Sequence, residues 1–229
     1  MGNKGNNRHM KGLTAPRYLD IGRKQSAYVI KARGGRHSLA RSIALSLLIR
    51  KLKLANTAKE AGSIIKSGKI IVNRNVIRDV RFNVGLNDIV EIPEAKKCYS
   101  ISIDGRAHID IKETAEPDYK DQLFKVVGKY KTDGDNVMLR LHDGSAVKAA
   151  GNKTMVNDSV SLNEKHAISK VLSLQDGAQC FVIDGVHVGT TGLVKSITKG
   201  TMQTEASVLI KPREGDEFET LVKNIMVIG

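Results

Sequence analysis

The pattern of apolar residues predicts two helices in the first third of the chain. Between residues 39 and 55, apolar side chains recur four positions apart on adjoining stripes, as in Leu39, Ile43 and Leu47. This spacing is typical of a helix with one buried face, and it predicts a first helix over 39–55. Thr57-Ala-Lys-Glu60 is a capping box, whose two polar side chains can accept hydrogen bonds from free backbone N–H groups. It predicts a short second helix that ends at Gly68.

After Gly68 the apolar residues follow the alternation of β-strands. Ile70 and Val72 have polar neighbours, and a further apolar segment, 88–92, ends before Pro93. Beyond Pro93 the pattern is that of β-structure alone. Asp104-Gly105 between two alternating segments predicts a hairpin. Further turn dipeptides bracket a predicted strand over 137–141: Asp133-Gly134 and Asp143-Gly144.

The last part of the chain predicts a small β-barrel. Its apolar segments are short and separated by turn residues, which is the spacing of five barrel strands. The predicted strands are 182–183, 186–188, 192–197, 208–210 and 221–228. The whole chain is therefore predicted to be an α+β, multidomain protein. The predicted boundaries are an N-terminal arm over 1–38, a small α+β domain over 39–93, a β-rich central domain over 94–174 and a barrel over 175–229.

The positive charge of the protein is concentrated in its first third. The 229 residues include 37 Lys and Arg against 24 Asp and Glu, so the net charge is +13. Residues 1–81 hold 19 of these cations and 3 acids, whereas the rest of the chain holds 18 cations and 21 acids. Such an excess favours an anionic partner.

The arm and one corner of the small domain carry this excess. Glycines and cations punctuate the arm, and its histidines suit a chain that follows a folded RNA surface. The candidate RNA-binding residues of the arm are Lys4, Arg8, His9, Lys11, Arg17, Arg23, Lys24, Lys31, Arg33, Arg36 and His37. Those of the corner are Lys66, Lys69, Asn73, Arg74, Arg78 and Arg81. Aromatic residues make up only 4% of the chain, which argues against a stacking platform for single-stranded bases.

No motif for catalysis or for a metal stands out. The six histidines are dispersed, no GxSxG occurs, and Cys98 and Cys180 lie 82 residues apart without a CxxC pair. The glycine-rich segment 185–192 has the wrong spacing for a nucleotide loop. The sequence predicts no catalytic residue, no metal site, no cofactor and no small-molecule substrate.

No segment predicts a membrane protein. No apolar run approaches the roughly 20 residues that cross a bilayer, and the first residues lack the apolar stretch of a secretory signal. We therefore expect a cytoplasmic protein without a membrane partner.

Three segments together resemble a known family. Residues 57–73, with Val80 and the segment 85–90, resemble the αL RNA-binding domain of the S-four type. His9-Met-Lys11-Gly-Leu13-Thr-Ala-Pro16 and a KOW-like segment over 177–195 add to this. The order resembles the archaeal and eukaryotic S4e family of small-subunit ribosomal proteins. The absence of a basic extension after Gly229 favours an archaeal member.

The resemblance implies a non-enzymatic component of the small ribosomal subunit. It implies small-subunit ribosomal RNA and neighbouring ribosomal proteins as partners, an αL domain over 39–93, and an SH3-like KOW barrel over 175–229. The positions that match the family's RNA-binding segments are Arg8, His9, Lys11, Arg17, Arg36, His37, Arg41, Lys66, Lys69, Asn73 and Arg78. Arg50 and Lys53 complete the set of RNA-binding candidates, and Gly185, Gly189 and Gly192 match turn glycines with a backbone role.

Two other functions remain open at this point. One is an RNA-modifying enzyme that uses an αL domain for targeting, as pseudouridine synthases do. Asp104-Gly-Arg106 has the wrong order for the catalytic motif of such enzymes. The other is a transcription or translation factor with a KOW barrel, which would exchange freely with its complex.

Overall fold

Two compact units make up the computed structural model of the chain. The residues that the structure describes are 9–22, 26–114, 119, 122–132, 137–149, 154–163, 166–213 and 215–229. One unit comprises Met1–Ser102 and His108–Pro117, and the other comprises Ile103–Ala107 and Asp118–Gly229. Within the described ranges, neither helix has the length and apolar character that a membrane crossing requires.

The first unit packs two helices against short antiparallel strands. Its helices are α1 (Leu45–Lys51) and α2 (Ala58–Lys66). Its strands are β1 (Met10–Lys11), β2 (Tyr28–Val29), β3 (Ser42–Ala44), β4 (Ile71–Val72), β5 (Asn75–Val76), β6 (Asn83–Gly85), β7 (Ile89–Ile92), β8 (Lys97–Ile103) and β9 (Ile109–Thr114). The strand β1 pairs with β2 and β3 with β6, while the others form a sheet in the order β5-β4-β7-β8-β9.

The core of this unit joins α1, α2 and the sheet. Fully buried side chains include Leu48, Ile65 and Val90, and apolar residues of the arm pack against them. The Tyr18 hydroxyl lies 2.7 Å from the carbonyl oxygens of both Leu39 and Ser42. Burial raises the pKa of this hydroxyl. The described residues of the arm therefore pack against the small domain.

The predicted second helix is confirmed, together with its cap. The Glu60 N–H donates to Thr57 Oγ1 at 3.2 Å, and Glu60 Oε2 accepts from the Asn56 N–H at 2.9 Å. The helix ends at Lys66, and Gly68 has a φ of +77°. Such a left-handed residue just past a helix end favours glycine.

We expect Thr57→Ala to destabilise the first unit by about 1 kcal/mol, because the Glu60 N–H loses its acceptor. Urea unfolding followed by circular dichroism measures the effect. Ser63→Ala is the matched control, since Ser63 is exposed on the same helix. Equal stability of the two variants would contradict this role of the cap.

The predicted first helix is shorter than its pattern indicates. Only Leu45–Lys51 is α-helical, while Leu39–Arg41 is a 3-10 turn and Ser42–Ala44 is a strand. Ile43 is paired with Val84 across the β3–β6 ladder. The Leu45 N–H also bonds to the Phe82 carbonyl, at 2.9 Å. Hydrogen bonds to a distant segment therefore replace the helical bonds that the local pattern favours.

The second unit contains two antiparallel sheets. Its strands are β10 (Leu123–Lys131), β11 (Val137–Leu141), β12 (Ala146–Lys148), β13 (Ser159–Leu162), β14 (Ile168–Leu172), β15 (Gln179–Val182), β16 (Thr191–Thr198), β17 (Ser207–Pro212), β18 (Phe218–Leu221) and β19 (Ile225–Val227). One sheet has the order β12-β11-β10-β13-β14 and the other β18-β17-β16-β15-β19. Each sheet has its own apolar cluster.

Most of the predicted strands of this unit are present, with two corrections. The predicted strand 221–228 is interrupted by the 3-10 turn Val222–Asn224, and only Ile225–Val227 follows it as a strand. The strand over 137–141 and the turn at Asp143-Gly144 are confirmed, while Asp133-Gly134 lies outside the described residues. The segment 186–188, predicted as a strand, is a turn in which Val186 is 92% exposed. The sheet nevertheless has five strands, because Phe218–Leu221 is a strand of it.

A buried lysine connects the two sheets of the second unit. Lys125 lies on β10 and is 4% exposed. Its ammonium group donates to the carbonyl oxygens of Val222 at 2.8 Å and Lys223 at 2.9 Å. These carbonyls belong to the 3-10 turn Val222–Asn224, which precedes β19. The lysine thus fixes the turn that leads into the last strand.

Candidate nucleic-acid interface

The predicted basic corner is built on a tight hairpin. The strands β4 and β5 are joined by Asn73 and Arg74, which have φ values of +45° and +67°. Positive φ at both central residues is the geometry of a type I′ turn, whose twist matches that of the strands. Arg74 is exposed at the tip of this hairpin. The turn therefore presents a cation on a rigid backbone.

The end of α2 lies against the same hairpin. A Cβ atom added at Gly68 would lie 3.3 Å from Arg78 Nε and 3.4 Å from Val76 Cγ1. The Arg78 guanidinium therefore covers the end of the helix. Lys66 lies in the last turn of α2, and Lys69 lies three residues after it. Both side chains are exposed. Lys66 thus ends the helix and Lys69 follows it, Arg74 lies on the hairpin turn, and Arg78 lies two residues after β5.

A buried polar network anchors the hairpin from below. Asp88 is 1% exposed, and its Oδ1 accepts from Asn73 Nδ2 at 2.6 Å. Its Oδ2 accepts from the Gly85 N–H at 2.9 Å and lies 2.8 Å from His37 Nε2. Asn73 Oδ1 in turn accepts from the Ile89 N–H at 2.9 Å. The carboxylate therefore joins the arm, the hairpin turn and the start of β7.

This network gives two of the predicted RNA-binding residues a structural role. His37 is 7% exposed and Asn73 is 6% exposed, and both side chains point into the network. A Cβ atom added at Gly85 would lie 2.6 Å from the His37 ring. Both side chains are therefore withdrawn from the surface and hydrogen-bonded within the unit.

The other predicted residues divide by exposure. The exposed ones are His9, Lys11, Arg17, Arg33, Arg41, Arg50, Lys53, Lys66, Lys69, Arg74, Arg78 and Arg81. Lys31 and Arg36 are half-buried. Lys4, Arg8, Arg23 and Lys24 lie outside the described residues. The exposed cations span the arm, the end of α1 and the basic corner.

Some exposed cations have acidic neighbours. Arg33 Nη1 lies 3.8 Å from Asp79 Oδ2, and Lys69 Nζ lies 2.8 Å from Glu94 Oε1. Exposed ion pairs contribute only about 0–1 kcal/mol each, because water screens the charges. A phosphate can therefore replace these carboxylates at small cost. Asp79 Oδ1 also accepts from the Arg81 N–H at 2.9 Å.

Sequence reasoning assigned no role to Lys51 and underestimated Asp88. Lys51 lies at the end of α1, with its Nζ 3.9 Å from Asp20 Oδ2. Partial burial lowers the pKa of the Lys51 ammonium, and Asp20 opposes that change. Asp88, the first residue of the predicted apolar segment 88–92, is the centre of the buried network. The available signal was strand alternation, which places Asp88 on the same face as the buried residues Leu86 and Val90.

The second unit offers fewer cations for an anionic partner. Lys195 Nζ lies 2.7 and 3.0 Å from the two carboxylate oxygens of Glu217.

Gly185 and Gly189 have φ values of +100° and +80°. A Cβ atom added at Gly192 would lie 2.6 Å from Ile210 Cγ2, so the strands β16 and β17 leave no room for a side chain there. These glycines serve the backbone.

Comparisons with known proteins identify relatives over nearly the whole chain. No family model matches. Small ribosomal subunit protein eS4 of Methanococcus vannielii is 31% identical over 237 residues, which cover 99% of this chain and 96% of that protein. The protein of the same name from Desulfurococcus amylolyticus is 30% identical and covers 100% and 95% of the two chains.

A solved structure has the same fold. The crystal structure of the 30S ribosomal protein S4e from Thermoplasma acidophilum superposes with a TM-score of 0.68 at 25% identity. The match covers 82% of this chain and 95% of that one. Its fold therefore corresponds to the mostly β, multi-sheet architecture with two helices described above.

Proposed function

Because the chain belongs to the eS4 family of small ribosomal subunit proteins, we propose that it is a structural component of the small subunit that binds ribosomal RNA. The chain matches its relatives over nearly their full length, and these relatives are named as ribosomal proteins. This supports a role without catalysis. Its partners are then small-subunit ribosomal RNA and neighbouring ribosomal proteins, and its location is the cytoplasm.

The finer arrangement belongs to the same proposal. We assign residues 39–93 to an αL RNA-binding domain, 94–174 to a central β domain and 175–229 to a KOW barrel, with 1–38 as a basic arm. The arm and the αL domain bind the RNA, while the near-neutral later domains contact proteins. The opposite charges of the two parts of the chain support this division.

The observation that carries the proposal is the basic corner. Its cations lie on a helix end and a two-residue turn, and a buried network holds the turn in place. A surface with fixed cations binds folded RNA through phosphates, since its positions match a given spacing of charges. The protein thereby stabilises one fold of the RNA without changing it chemically.

We expect replacement of the four corner cations to weaken binding to small-subunit ribosomal RNA about 30-fold and to lower the salt slope by about 3, at roughly 0.7–0.9 per phosphate contact. The variant carries Lys66→Ala, Lys69→Ala, Arg74→Ala and Arg78→Ala. Filter binding at several salt concentrations measures both quantities.

The matched control removes four exposed lysines from the second unit. It carries Lys170→Ala, Lys195→Ala, Lys199→Ala and Lys211→Ala. We expect this variant to lose less than about threefold in affinity, since these residues lie outside the proposed RNA-binding surface. Equal losses in the two variants would place the main contact elsewhere.

Sedimentation separates the ribosomal function from the two alternatives. A structural component stays on the small subunit at one copy per particle through a moderate salt wash. A factor or modifying enzyme leaves it and remains near the top of the gradient. Release of this protein at moderate salt would therefore contradict the proposal.

A further inference from the structure

A cavity in the first unit has no assigned role. Its volume is about 550 Å³, and residues of the arm and of α1 line it. Sites for small organic groups have volumes of about 300–1,000 Å³. The cavity is therefore large enough for one group of that size.

One side of the cavity suits a flat apolar group. Met10, Val29 and Leu47 are among its apolar lining residues. His9 and Tyr28 line it as well, with ring centroids 6.1 Å apart and planes at 66°. Tyr28 is 62% exposed, so its ring has a free surface. Aromatic rings of this kind stack with unpaired nucleobases.

A buried serine hydroxyl lies in the wall of the cavity. Ser46 lines the cavity and is 1% exposed, and its Oγ has no hydrogen-bond partner among the described residues. A buried hydroxyl without a partner is unfavourable. After a rotation about χ1, a polar edge of a bound group can provide that partner. A nucleobase has both the flat faces and the polar edge.

The remaining lining residues favour an anion. Lys31, Arg50, Lys51 and Arg81 contribute four positive charges, and Asp20 contributes one negative charge. Lys51 is paired with Asp20 at 3.9 Å and is partly withdrawn from water. A phosphate beside these side chains would add a second counter-charge. The cavity thus combines an apolar, aromatic side with a cationic one, as a nucleotide requires.

We propose that this cavity holds one unstacked nucleotide of the bound RNA, with its base against Tyr28 and Leu47 and its phosphate beside Arg50 and Lys51. This inference rests on the proposed function, since the nucleotide belongs to ribosomal RNA. It adds recognition of a single extruded base to the phosphate contacts of the basic corner. The arm then forms one wall of a nucleotide site.

The test combines affinity with crosslinking on the full-length chain. The probe is small-subunit ribosomal RNA that carries 4-thiouridine, which crosslinks to neighbouring side chains under ultraviolet light. Tyr28→Ala removes the exposed ring, and Val29→Trp fills the cavity. Tyr130→Ala is the matched control, because Tyr130 is an exposed aromatic residue of the second unit.

We expect Tyr28→Ala to weaken RNA binding about tenfold with an unchanged salt slope, because stacking neutralises no phosphate. Val29→Trp should do the same, and if it fails to fold, Tyr28→Ala alone decides. Crosslinks of the wild-type protein should map to peptides that contain residues 26–31 or 46–51. Tyr130→Ala should bind like the wild type.

The outcomes separate this inference from the proposed function. Wild-type affinity of Tyr28→Ala, with no crosslink to either peptide, would overturn the nucleotide site while RNA binding stands. Failure of the wild-type protein to bind the RNA would overturn both. A crosslink from these peptides to a neighbouring ribosomal protein in assembled subunits would assign the cavity to that protein and overturn the inference.

Discussion

Asp88→Ala is expected to destabilise the first unit by about 3–5 kcal/mol, because it removes a buried acceptor from three donors at once. Asn73 Nδ2, the Gly85 N–H and His37 Nε2 all lie within 2.9 Å of its oxygens. These groups are withdrawn from water in the folded unit, so no solvent can replace the carboxylate. The loss falls on the arm, the hairpin turn and β7 together.

Hydrogen exchange read peptide by peptide measures this effect, because it reports the local stability of each segment. Peptides of the first unit should lose protection while those of the second unit keep it. Asp79→Ala is the control, since Asp79 is an exposed acid whose oxygens contact the Arg81 N–H and Arg33. We expect it to cost less than about 1 kcal/mol. A similar small cost for Asp88→Ala would show that the network is dispensable.

Lys125→Met is expected to destabilise the second unit by about 2–3 kcal/mol. The substitution keeps most of the aliphatic chain but removes the donor that the Val222 and Lys223 carbonyls share. Bonds from a charged donor contribute about 1.5–3 kcal/mol each, and release of a buried charge offsets part of that loss. The expected result is therefore a net destabilisation smaller than the sum of the two bonds.

The position of the lost protection identifies the cause. Amide exchange should accelerate over 222–227, where the turn leads into β19, before it accelerates in β10. Lys129→Met is the matched control, because Lys129 is exposed on the same strand and makes a 3.3 Å bond to the Thr154 carbonyl. Equal effects of the two variants would contradict the special role of Lys125.

Local signals in the sequence predicted local structure well. The capping box at Thr57 predicted the start of α2 and the bond from the Glu60 N–H to Thr57 Oγ1, because both residues lie within one helical turn. The Glu60 carboxylate accepts from the Asn56 N–H, one residue before the predicted donor. The strand over 137–141 was predicted for the same reason, since turn residues and alternation are both short-range signals. The family resemblance added the protein family itself, which the relatives confirm.

Long-range pairing was not predictable from these signals. Residues 42–44 have a helical apolar pattern, yet they pair with 83–85, about forty positions away. A pattern reports which face is buried, and a short strand and a helix turn can bury the same residues. The strand predicted over 186–188 was also wrong, because its valines suit a strand but lie in a turn.

The sequence indicated the cations of the candidate site by their charge, but it did not indicate which residues contact one another there. Exposed cations such as Arg74 and Arg78 are indicated by composition and charge alone. His37 and Asn73 have the same polarity, but Asp88 draws both into the interior. Only the fold brings residues 37, 73 and 88 together, because 51 positions separate the first from the last.

The packing of the arm has a consequence for synthesis. The arm residues Tyr18 and Ile21 pack against a core whose members extend to Ile101. At roughly 5–20 residues per second, translation needs about 4–16 s to pass from the arm to that point. The basic arm therefore leaves the ribosome before the core that it packs against is complete. During those seconds its cations are open to contact with cellular RNA, which competes with docking onto the core.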